Sequence, residues 1–110
     1  MTEDRPTIST HVLDTSSGGP AAAVTVTLWR SLLDGSEEIA GQAITDSDGR
    51  VRDLLGGVPL DRGRYRIEFE IDDGGFFTGL SIAVRIEDPS RSYHVPLLRA
   101  PFGLSTYRGS

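Results

Sequence analysis

The segment "GRYRIEFEI" alternates without a break: Tyr65, Ile67, Phe69 and Ile71 are apolar, and Arg64, Arg66, Glu68 and Glu70 between them are charged. A period of two is the period of a β-strand, whose successive side chains point to opposite faces, whereas a helix would scatter these four apolar residues around its axis. A strand wet on one face needs a second layer to cover the other. The same design recurs in "LSIAVRIE", with Leu80, Ile82, Val84 and Ile86 as the covered set. It recurs in "AVTVTLWR", with Val24, Val26 and Leu28 opposed to Thr25, Thr27 and Trp29. In "TISTHVLD", Ile8, Thr10 and Val12 alternate with Ser9, His11 and Leu13.

Shorter strands are expected at "IAGQAIT", at "RVRDL", and in the closing segments "SYHVPLL" and "GLSTYR". Gly-rich turns such as "TSSGGP" and "TDSDG" separate these runs, and Asp48-Gly49 reads as a hairpin turn. "GGFFTG" is expected to form one short helical turn. Pro96 cannot donate to a ladder, so "YHVPLL" is expected to be an edge strand, a bulge, or a strand whose register breaks. About seven to eight short strands in roughly 100 residues predict an all-β, two-sheet antiparallel β-sandwich. At 110 residues, one domain spanning 1–110 is expected.

The formal net charge of −5 repels polyanions, so neither nucleic acid nor an anionic membrane is an expected partner. There is no Cys, which removes disulfides and thiolate chemistry, and all eleven basic residues are Arg. No apolar run approaches the roughly 20 residues of a membrane-spanning helix, and the polar start "MTEDRPT" does not read as a signal peptide. A cytoplasmic protein, bacterial by its Arg bias, is expected.

Few residues are equipped for chemistry. The two histidines, His11 and His94, both point away from core-like neighbours and so project from the outer face of the sandwich. On residue type alone they read most simply as solvated surface histidines. A zinc site needs at least three protein ligands and none is indicated. "TDSDG" lacks the spacing and terminal Glu of an EF-hand, and "LLGGVP" carries no phosphate-binding glycine pattern. In the absence of Cys and metal, water is the expected nucleophile of any hydrolysis, with a histidine to take its proton and an Arg to hold an anionic substrate.

Three stretches carry a family resemblance: "ISTHVLDTSSGGPA" at the start, the "TDSDGR" turn, and "YHVPLLRAPFGLSTYRGS" at the end. Together they resemble the 5-hydroxyisourate hydrolases, the transthyretin-related enzymes of urate breakdown, over nearly the whole chain. The turn and strand pattern is shared by many prealbumin-like domains and bears on fold. "HVLD", "YHVPLL" and "YRGS" in combination point to the hydrolase branch. The resemblance implies a transthyretin/prealbumin-like antiparallel β-sandwich and a metal-independent hydrolysis of 5-hydroxyisourate that needs no cofactor. It implies His11, Arg50, His94 and Ser110 as catalytic residues, with His11, Arg50 and Tyr107 binding the substrate. It further implies a homotetramer, a dimer of dimers with sites between the dimers. Ser92 stands where many relatives have a further His. The competing reading is a transthyretin-like carrier that holds a small ligand without turning it over.

Overall fold

The computed structural model describes residues 5–109, which form ten strands. They are β1 (Ile8–Asp14), β2 (Gly19–Pro20), β3 (Thr25–Ser31), β4 (Glu37–Ile44), β5 (Arg50–Val51), β6 (Gly63–Glu70), β7 (Gly79–Ile86), β8 (Tyr93–His94), β9 (Leu97–Ala100) and β10 (Gly103–Thr106). Three of them, β2, β5 and β8, are only two residues long, which leaves seven of substance. One sheet has the order β10-β9-β1-β2, with β5 and β8 also paired to β1, and the other runs β4-β3-β6-β7.

The alternating residues close the space between the sheets. Ile8, Val12 and Leu97 of the first sheet and Val26, Leu28, Ile67 and Phe69 of the second are fully buried in one core. On β7 the alternation is only half used: Ile86 is buried, but Leu80, Ile82 and Val84 are partly exposed because β7 is an edge strand. On β3, Thr27 is buried as well, its hydroxyl accepting from Gln42 Nε2 at 2.8 Å.

Three expectations change. The segment expected as a helical turn forms bends, and the described residues contain no helix. Gly74 has a φ of 93°, outside the right-handed helical region, and the Asp73 carboxylate accepts from the Gly75 N–H at 3.2 Å. The "TDSDG" turn is not a hairpin, since it carries the chain from β4 in one sheet to β5 in the other. The sandwich is also not antiparallel throughout, because β1 pairs in parallel with both β8 and β9.

That parallel pairing decides the meaning of Pro96. The ladder to β1 is interrupted at Val95-Pro96 yet resumes in the same register, with Ser9 opposite His94 and Val12 opposite Leu97. The strand is interior rather than an edge, lying between β1 and the segment that follows β10. Tyr93 and Val95 donate their N–H groups to the carbonyls of Thr7, just before β1, and Ser9, so the donor that Pro96 lacks belongs to the opposite side, facing the C-terminal segment. The Val95 carbonyl is held by the buried Thr10 hydroxyl at 2.6 Å.

Candidate active site

The register of the first sheet gathers the polar side chains. Thr10 pairs with Val51 and Ile8 with Tyr93, and all four are buried. The neighbouring pairs, His11 opposite Arg50 and Ser9 opposite His94, therefore project from the outer face. Arg50 on β5 and His94 on β8 flank β1 on opposite sides, two strand spacings or roughly 10 Å apart in the backbone. A cavity of about 390 Å³ lies here, and Ser9, Arg50, Arg52, Ser92 and His94 are among the residues that line it.

Arg50 is set by its turn. Asp46 Oδ1 accepts from the N–H groups of Asp48 and Arg50, each at 2.9 Å, and the Arg50 N–H is the main cause that holds the Asp46 carboxyl below the usual carboxylate range. Gly49 turns the chain at φ 76°, with no room for a Cβ against the Val12 carbonyl. Among the described residues neither Arg50 nor Arg52 makes an ion pair, unlike Arg30, Arg66 and Arg99. Two guanidiniums without an ion pair among the described residues, at one cavity, suit a substrate with anionic oxygens.

The two histidines differ in surroundings. His11 Nε2 donates to the Asp48 carbonyl at 2.8 Å, which leaves the lone pair of a neutral ring on Nδ1. His94 Nδ1 lies 2.8 Å from Ser9 Oγ. Burial lowers the proton affinity of His94 below that of an ordinary histidine, and the nearby charges of Arg50 and His11 lower it further. His94 is therefore neutral near pH 7 and able to accept a proton.

The last described residues reach this site. The Gly109 N–H donates to the His94 carbonyl at 2.7 Å, in an antiparallel bridge that keeps the register of the β9–β10 ladder beyond Pro96. A Cβ on Gly109 would stand 2.7 Å from His94 Cδ2, so the imidazole occupies the space that glycine leaves. Arg108 turns its guanidinium over the Tyr93 ring, 4.9 Å from its centroid.

Of the residues expected at a site, Arg50 and His94 line the cavity; His11 shares their face and adjoins Arg50. Tyr107 is 56% exposed and borders a separate apolar groove with Ile82, Val84 and Tyr93. Ser110 lies outside the described residues. Ser9 and Arg52 also line the cavity without having been singled out in the sequence. Period two held the signal for both, since Ser9 is two residues before His11 and Arg52 two after Arg50. Among the described residues no three His, Cys, Asp or Glu side chains are grouped as metal ligands, and no helix is long and apolar enough to cross a membrane.

The two sheets and this outer-face arrangement of His and Arg define a transthyretin-like sandwich with a polar site. The chain belongs to the HIUase/Transthyretin family, whose model matches residues 8–109. A 5-hydroxyisourate hydrolase of Halalkalibacterium halodurans is 43% identical, over 94% of this chain and 97% of the relative. One of Caulobacter vibrioides is 39% identical over 94% and 97%. The solved structure of Klebsiella pneumoniae 5-hydroxyisourate hydrolase superimposes with a TM-score of 0.81 at 38% identity, covering 94% of this chain and 99% of that one. Sea bream transthyretin in complex with thyroxine gives a TM-score of 0.85 at 23% identity, over 93% of each chain, a likeness of fold alone.

Proposed function

We propose that this chain is a 5-hydroxyisourate hydrolase of urate breakdown, opening the six-membered ring at the amide between N1 and C6 to give 2-oxo-4-hydroxy-4-carboxy-5-ureidoimidazoline. The observation that carries the reading is the meeting of Arg50 and a neutral, partly buried His94 at one cavity. The identity to named hydrolases supports it further. The fold does not discriminate, since an enzyme and a thyroxine-binding transthyretin superimpose about equally well.

In the proposed reaction His94, with His11 close by, takes a proton from water as its oxygen adds to C6. Arg50 binds the substrate oxygens and stabilises the oxyanion, a role worth on the order of 3 kcal/mol in a dry site. The C6–N1 bond then breaks, N1 receives the proton from His94, and C6 stays on the five-membered ring as a carboxylic acid that gives its remaining proton to solvent. Each step uses side chains and water alone. The resemblance assigns Tyr107 to the substrate ring and Ser110 to positioning water or a histidine, although in one chain Tyr107 borders the separate groove beside Ile82 and Val84.

The site is open on the outer face of one chain, where Leu13 and Leu98 also pair as half-buried neighbours. A homotetramer, a dimer of dimers, would cover that face and turn it into an enclosed channel. We place the enzyme in the cytoplasm, as a single hydrolase domain over 1–110.

The test is the ultraviolet decay of freshly generated 5-hydroxyisourate with wild-type protein and with His94→Ala. Acceleration by wild type alone is expected. Binding without faster decay would leave a carrier, and undiminished turnover by His94→Ala would remove His94 from its role.

A further inference from the structure

We infer that Ser9 is a positioning residue for His94: its oxygen accepts from Nδ1–H, fixing the neutral ring in the tautomer that presents the Nε2 lone pair to the cavity. The inference rests on the hydrolase reading only for its consequence in catalysis; the tautomer is a property of the folded chain.

Four observations converge. Ser9 and His94 are directly paired in the β1–β8 register, so their side chains leave the sheet side by side on one face. Ser9 Oγ and His94 Nδ1 are 2.8 Å apart in a partly buried setting. The Ser9 backbone also acts on this ring as an acceptor that favours its protonated form, against the lowering by burial, Arg50 and His11. The opposite edge of the imidazole is closed by Gly109, whose absent side chain is the space filled by Cδ2. The ring is thus held along both edges next to Cγ. Its tip, Cε1 and Nε2, is what remains to meet water or substrate.

A hydroxyl and a carbonyl together make an acceptor-rich wall, and such a wall selects the protonated nitrogen. A free imidazole prefers its proton on Nε2, which would make His94 a donor toward the cavity instead of a base. Ser9 reverses that preference. With its oxygen accepting from His94, the Ser9 hydroxyl hydrogen is free to point into the cavity that Ser9 lines, toward a water or a substrate oxygen. The charged and titratable groups facing His94 are Arg50 from β5, Arg52 just after it and His11 from β1. They alter how readily the ring is protonated, while Ser9 alters which nitrogen carries the proton.

The test is long-range proton–nitrogen correlation spectroscopy of the ¹⁵N-labelled full chain at a pH where the histidines are neutral, with His94→Gln to assign the signals. Wild-type His94 is expected to show a pyrrole-type Nδ1 and a pyridine-type Nε2, the reverse of His11. In Ser9→Ala the His94 pattern should move toward Nε2–H, and kcat should fall about five- to tenfold, the worth of one hydrogen bond, with KM little changed. Ser9→Thr, which keeps the hydroxyl, should restore both. A wild-type His94 protonated on Nε2 would overturn the inference without recourse to any variant. So would a folded Ser9→Ala with unchanged tautomer and kcat. If wild type fails to turn over 5-hydroxyisourate, the hydrolase reading falls, and the nitrogen spectrum still decides the role of Ser9.

Discussion

His11 and Arg50 stand directly opposite each other on the antiparallel strands β1 and β5. The His11 ring reaches past its partner to hold the Asp48 carbonyl, inside the turn that delivers Arg50. His11 therefore clamps the strand that carries the guanidinium. Replacing it with Gln, whose amide can still donate to Asp48, should preserve more activity than His11→Ala. Steady-state rates with 5-hydroxyisourate check this, and an equal collapse of both variants would assign His11 to proton transfer instead.

Arg50→Gln removes the charge that faces both substrate and His94. kcat/KM should fall about 10²- to 10³-fold, the usual cost of losing an oxyanion donor. The His94 titration should meanwhile move upward, because removing a nearby positive charge favours the imidazolium. It should stop short of an ordinary histidine, since burial is the larger cause and persists in the variant. An NMR titration of the imidazole signals measures both points.

The same shift has a sign for activity. The base form of His94 exists above its pKa, and that pKa is lowered by burial, Arg50 and His11. The acidic limb of kcat/KM should therefore have its midpoint below about 6.5, the value for an unperturbed histidine. A midpoint above that value would identify a different ionising group.

Gly109→Ala should displace the His94 ring while leaving the core strands, which lie elsewhere, intact. Turnover should drop by at least about tenfold with an unchanged far-ultraviolet spectrum and thermal transition. Deleting Tyr107 to Ser110 should abolish turnover in a chain that still folds. Full activity in the truncated chain would show that His94 needs no support from this segment.

Thr10→Val keeps the shape of a fully buried side chain and removes the donor that satisfies the Val95 carbonyl. Leaving that oxygen unpaired should cost about 1–3 kcal/mol of stability. Urea unfolding of the variant against wild type measures the difference.

The sandwich was legible because four segments alternate so cleanly that their buried faces, Tyr65 to Ile71 above all, admit one reading. The outward direction of His11 and His94 followed from the same alternation. What stayed hidden is whatever depends on pairing between distant segments. That β1 lies parallel to β8 and β9, and that "TDSDG" crosses between sheets, are tertiary facts with no local signature. The bends at Asp73 to Phe76 differ from the expected helical turn because an apolar pair between glycines looks helical until the Asp carboxylates claim the local N–H groups. Pro96 on its own points to a local defect, whereas its neighbours keep register across it.

The contact between Ser9 and His94 joins residues 85 positions apart in the chain. Closing so long a loop is costly in entropy, and it is worthwhile only once the strands between have assembled enough surface to hold the ends together. During refolding, enzymatic activity should thus be among the last properties to return, later than secondary structure. The site acts as a built-in reporter of complete topology, silent in every partly assembled form of the chain.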